Sequence, residues 1–101
     1  MILYNVTIKI EWEIHADWIQ WMKEEHMPGM LATGCFTHYQ LLRIIDTDDS
    51  DGPTYACQYF ADSKALYNKY IEEFSTVQRK KGTGKWGNRF VAFRTVMQVV
   101  D

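Results

Sequence analysis

The chain has 101 residues, 11 basic against 13 acidic, and a formal net charge of −2. Hydrophobic residues make up 47% and charged residues 24%, the composition of one folded globular domain and not of a disordered or fibrous chain. No run is apolar and long enough to span a membrane, and the near-neutral charge argues against a dedicated nucleic-acid binder, which needs a net basic face.

The first nine residues after Met1 alternate. Ile2, Tyr4, Val6, Ile8 and Ile10 share one face, while Leu3, Asn5, Thr7 and Lys9 share the other, the pattern of a strand. From Ile14 the period becomes helical through Trp18, Trp21, Met22 and Glu25. Pro28 disfavours helical geometry at Met27 and ends or kinks this helix. It also suits the first turn of a short second helix through Met30, Leu31 and Ala32, with Gly34 as a left-handed stop.

Phe36 to Ile45 reads as a second strand, Asp46 to Pro53 as a polar turn and Thr54 to Ala61 as a third strand. Asp62 or Ser63 caps the next helix, whose apolar stripe is Leu66, Tyr67, Tyr70, Ile71, Phe74 and Val77. Arg79, Lys80 and Lys81 are expected in its last turn, Gly82 is expected to end it, and Gly84 and Gly87 are expected in a loop. Phe90 to Val100 is the last strand.

The order β-α-β-β-α-β over residues 1–101 predicts one α+β domain of ferredoxin-like type: a four-stranded antiparallel sheet with two helices on one face. The helix side takes the even residues of the first strand and, by expectation, Phe93 of the last. Phe90, Ala92, Arg94, Val96 and Gln98 are then expected on the open side with Leu3, Asn5, Thr7 and Lys9. That half-apolar face suits a homodimer whose sheets pack face to face. Arg94 is expected to be buried with a partner, either in an ion pair across the interface, the favoured reading, or as an anchor for an anionic ligand.

The 4 Trp, 6 Tyr and 5 Phe are too many rings for one small core and point to a second buried surface, subunit or ligand. Cys35 and Cys57 are read as free thiols. If the hairpin loop centres near Asp49 and Ser50, Cys57 opposes Leu42 and Cys35 lies far away. With no charged-then-apolar leader, this is a chain expected in the cytoplasm.

The segments Tyr4-Asn5-Val6-Thr7, Trp18-x-x-Trp21-Met22-x-x-Glu25-His26-x-Pro28, Thr33-Gly34-x-Phe36 and Phe90-Val91-Ala92-Phe93-Arg94-Thr95 resemble a family of small bacterial proteins of unknown function. Its layout is similar to the dimeric α+β barrel superfamily, which includes antibiotic-biosynthesis monooxygenases, haem-degrading monooxygenases and stress-responsive barrel proteins. The resemblance implies a fold and a dimer and supplies no reaction.

The densest chemical cluster is Trp18, Trp21, Met22, Glu25 and His26, a carboxylate and an imidazole beside two indoles. A pocket between sheet and first helix is expected to hold a small apolar or aromatic ligand through Trp18, Trp21, Met22, His26, Tyr59 and Arg94. If the protein is an enzyme, cofactor-independent oxygenation of an aromatic substrate is the reading, with His26, Glu25 or His38 as catalytic candidates. The simpler reading makes the tryptophans core. No metal is expected: His15 and His26 on one helix lie roughly 16 Å apart at about 1.5 Å per residue. The basic stretch Arg79 to Arg89 could bind a phosphate or carboxylate, but it lacks a P-loop pattern and the favoured reading is a solvated helix end.

Overall fold

The computed structural model describes residues 1–101. Four strands, β1 (Ile2–Ile10), β2 (His38–Arg43), β3 (Thr54–Ala61) and β4 (Phe90–Gln98), form one antiparallel sheet in the order β2-β3-β1-β4. β2 is shorter than expected, and β4 stops at Gln98. The central strand β1 pairs with β3 and β4, and its even residues are all buried on the helix side.

The first helical segment is a 3-10 turn at Trp12–Ile14, α1 at His15–Trp21, a π-helical turn at Met22–His26 and α2 at Met27–Ala32. Pro28 does not break it. It sits in the first turn of α2, where its missing N–H is no loss, and Gly34 takes the left-handed conformation at φ 78°. The second segment is α3 (Lys64–Glu73) and α4 (Ser75–Trp86). Ser63 caps α3, its hydroxyl accepting from the Leu66 N–H at 3.2 Å. At the junction, the Ser75 hydroxyl donates to the Ile71 carbonyl at 2.6 Å, a back-bond that bends helices.

Gly82 does not end this helix. A glycine stops a helix by adopting positive φ, which Gly82 and Gly84 do not; Gly87 does, at φ 62°, and its N–H closes on Thr83 O at 2.9 Å. Arg79, Lys80 and Lys81 therefore lie mid-helix, not in a last turn.

The core gathers around Tyr4, whose ring packs against Phe36, Tyr59, Tyr67 and Tyr70 at centroid distances of 5.6–6.2 Å. Trp18, Met22, Met27 and Met30 close over it from the first helical segment. Cys35 and Cys57 are buried free thiols. Cys57 opposes Leu41, one residue from the expected Leu42, because the β2–β3 pairing centres on Asp49.

The β4 register corrects the larger expectation. Val6 pairs with Arg94 and Ile8 with Ala92, so the even residues of β4 share the helix side with the even residues of β1. Alternation could not decide this, because both faces of β4 carry large apolar residues. Phe90 packs on the core, and Phe93 lies on the open face at 67% exposure with Val91 and Met97. Arg94 is exposed and in no ion pair, so it cannot bridge two sheets through the open face.

The β2–β3 loop folds back on the end of β1, where Ile10 N–H donates to Pro53 O at 3.2 Å. Gly52 sits in this contact at φ 157°, and a Cβ there would lie 1.6 Å from the Ile10 carbonyl oxygen. Gly52→Ala must displace backbone and is expected to lower unfolding free energy by about 2–3 kcal/mol in urea titrations. An unchanged midpoint would refute the tight loop–strand contact.

Candidate functional site

The site begins in the backbone. In the π-helical turn the Met27 N–H reaches back to Met22 O, a spacing of one residue more than an α-helix allows. The extra residue moves the phase, so that His26 and not Glu25 falls beneath Trp21. The two rings stack at 4.7 Å and 19°. Glu25 is turned outward and exposed.

Across from this turn, α4 presents Gln78, Gly82 and Trp86 along one stripe, each four residues apart. Trp86 meets Trp21 edge-on at 5.9 Å. The sheet contributes Tyr4, Val6, Tyr59 and Arg94. Together these elements enclose a cavity of about 60 Å³. At roughly 30 Å³ per water, that is space for about two waters, and a ligand the size of an aromatic ring must extend into the cavity's open mouth.

All six residues singled out as ligand contacts, Trp18, Trp21, Met22, His26, Tyr59 and Arg94, line this one cavity. Arg94 lines the cavity but is exposed, not buried as expected. The other two catalytic candidates lie elsewhere. Glu25 borders only outer clefts, one of which it shares with His26, Gln78 and Lys81. His38 is on the opposite face of the sheet, stacked on Phe60 at 4.2 Å with Nδ1 2.8 Å from Thr37 Oγ1. His15 is engaged with the Tyr55 hydroxyl at 2.6 Å.

Sequence reading missed Gln78, Arg79, Gly82 and Trp86. Their spacing was visible, but ending the helix at Gly82 cut the stripe in two. Arg89, from the same basic stretch, is structural: it pairs with Glu11 at 3.0 Å and reaches Glu13 at 3.7 Å.

The cavity is apolar with a few polar groups. His26 Nδ1, Gln78 Oε1 and Trp86 Nε1 are buried and have no hydrogen-bond partner within the protein. Burial, with the charge of Lys81 second, holds the His26 imidazole down from 6.5 to about 4, so it is neutral at pH 7. Burial raises Tyr59 well above the ordinary tyrosine value, and the Tyr4 side chain is the main cause holding the Arg79 guanidinium more firmly protonated. Burial also pushes the Cys57 thiol up to about 12, which makes it an inert core group.

Residues 1–100 match the model of a protein family described as a domain of unknown function, DUF4286. The chain belongs to this family. No curated protein matches the DUF4286 chain. Among solved structures it is similar to a Nitrosomonas europaea protein named for the antibiotic biosynthesis monooxygenases, at 8% identity and TM-score 0.68 over all of both chains. It is also similar to an ethyl tert-butyl ether d (ethd) family protein from Bacillus halodurans, at 12% identity and TM-score 0.68, covering 99% of this chain and 100% of that one. Rv0793 from Mycobacterium tuberculosis follows at 11% identity and TM-score 0.62, covering 100% and 97%. These likenesses establish the α+β barrel fold of the DUF4286 domain and no activity.

The His26 shift carries a pH prediction. The folded state holds this imidazole less protonated than the unfolded chain does, so stability from this group is present above about 6.5 and declines toward about 4. The full effect is about 3 kcal/mol. Urea unfolding between pH 7 and 4 is expected to show this slope in the native protein and a flatter one in His26→Gln. Equal slopes would show that His26 is not held neutral.

Proposed function

We propose that this DUF4286 domain is a homodimeric small-molecule-binding protein whose ligand occupies the cavity between the sheet and the two helical segments. The observation that carries the reading is the convergence of three unpartnered buried polar atoms, on His26, Gln78 and Trp86, upon one apolar cavity. An apolar body with a few placed hydrogen-bonding groups is the usual character of a ligand site. Leaving such atoms unpaired costs about 1–3 kcal/mol each, which a ligand recovers by pairing them.

Gly82 supports the same reading. A glycine inside a helix costs about 1 kcal/mol relative to alanine. It lines the cavity, and a Cβ there would meet nothing within 4 Å. A helix-weakening residue that keeps space open is a local rule broken in favour of a site.

The open sheet face supports the dimer. Val91 and Phe93 are 57% and 67% exposed, and Leu42 and Met97 extend the apolar surface. Packing a second copy there would remove it from water. Two buried free thiols suit a reducing, cytoplasmic compartment.

The enzyme reading is weaker. His26 is placed to accept a proton from a phenolic ligand, but an imidazole held near 4 is about six units too weak a base for an ordinary phenol.

Native mass spectrometry and NMR titration test the proposal, with benzoate and benzamide as probes and the indole N–H signals of Trp21 and Trp86 as reporters. The native protein is expected to be a dimer that binds at least one probe. Gly82→Leu is expected to fill the cavity and lose binding while keeping or raising the melting temperature. Undiminished binding in that variant would move the ligand site elsewhere, and no binding by the native protein would end the proposal. Phe93→Asp is expected to yield monomers; a persistent dimer would exclude the open face as the interface.

A further inference from the structure

The cavity has a charge asymmetry that the chain as a whole lacks. Among its lining residues there is no aspartate and no glutamate, while Arg79 and Arg94 both face it. The chain carries more acids than bases, 13 against 11. Its other arginines are paired: Arg43 with Asp49, and Arg89 with Glu11 and Glu13. Arg79 and Arg94 have no carboxylate partner.

Their positions differ from those of ordinary surface arginines. Arg94 is mid-strand in β4, opposite Val6, on the side where a sheet normally carries apolar residues toward its helices. Arg79 reaches the same region from α4, beside Tyr4. Tyr70, whose hydroxyl donates to the Met30 sulfur at 3.3 Å, lines the cavity with both of them. Two guanidinium groups from different elements thus line one aromatic cavity. Each guanidinium presents a planar fork of donors that matches a carboxylate.

We infer that the cavity selects organic anions, a carboxylate on a small planar apolar body, with the head group held by Arg79 and Arg94 and the body among Trp21, Met22, Tyr59 and Trp86. This rests on the cavity being the ligand site. The neutral His26 and Gln78 then serve the body's polar substituent. A neutral ligand of the same shape would leave both guanidinium groups without an anionic partner.

Benzoate and benzamide separate the two claims, because they share size and planarity and differ in charge. Benzoate is expected to bind about tenfold more tightly than benzamide in NMR titrations at low salt, the scale of a charge-assisted hydrogen-bonded pair over a neutral one. The ratio is expected to fall as salt rises, since both arginines touch solvent. Arg79→Gln and Arg94→Gln are each expected to cut the ratio, and the double variant to bring it near one, with the circular dichroism spectrum unchanged. Equal affinities in the native protein would overturn anion selection and leave the binding proposal standing. A benzoate preference that survives the double variant would overturn the role of these arginines. Binding of neither probe would remove both proposals together.

Discussion

The pairing of β1 with β4 is the constraint on which the rest of the molecule depends. Once Val6 faces Arg94 across the ladder, every even residue of β4 is committed to the helix side and every odd residue to the open side. A slip of one residue would bury Phe93 under α4 and put Arg94 on the far face. The cavity would lose one of its two cations, and the open face would lose its largest exposed ring. Site and surface are therefore two consequences of one register.

Around the cavity, local rules are broken together. The first helical segment takes a π-helical turn at Met22–His26 in place of a regular one, which rotates His26 under Trp21. The facing helix keeps a glycine at its inner surface. Three of the chain's four unpaired buried polar atoms are on cavity-lining residues, the fourth being Asn5 Oδ1 on β1. Each of these lowers stability, and the rest of the core offsets them: Tyr4 with its surrounding rings, and the fully buried Trp18, Met22, Met27 and Met30. The distribution is uneven in a telling way, since β1 and β3 show regular alternation and close packing while α4 and the π turn do not.

The same fold occurs in proteins with 8–12% identity to this one. At that distance the sheet topology is shared and the cavity chemistry belongs to each chain separately. For this chain the distinctive chemistry is a neutral imidazole, a buried glutamine and two unpaired guanidinium groups around aromatic walls. Burial is the main cause that keeps the imidazole neutral at pH 7.

The sequence by itself determined the element order, the buried face of β1, the cap at Ser63, the stop at Gly34 and the free cysteines. All follow from local periodicity and turn chemistry, which need no knowledge of distant residues. It also singled out Trp18, Trp21, Met22, His26, Tyr59 and Arg94, which the fold brings to one cavity. Only the tertiary structure decided which face of β4 turns inward, because its two faces are equally apolar and the choice rests on pairing with β1. It likewise carried α4 through Gly82 to Gly87, bringing Gln78 and Trp86 to the site. A glycine's conformation depends on its surroundings, and here Gly82 and Gly84 stay helical and only Gly87 turns left-handed.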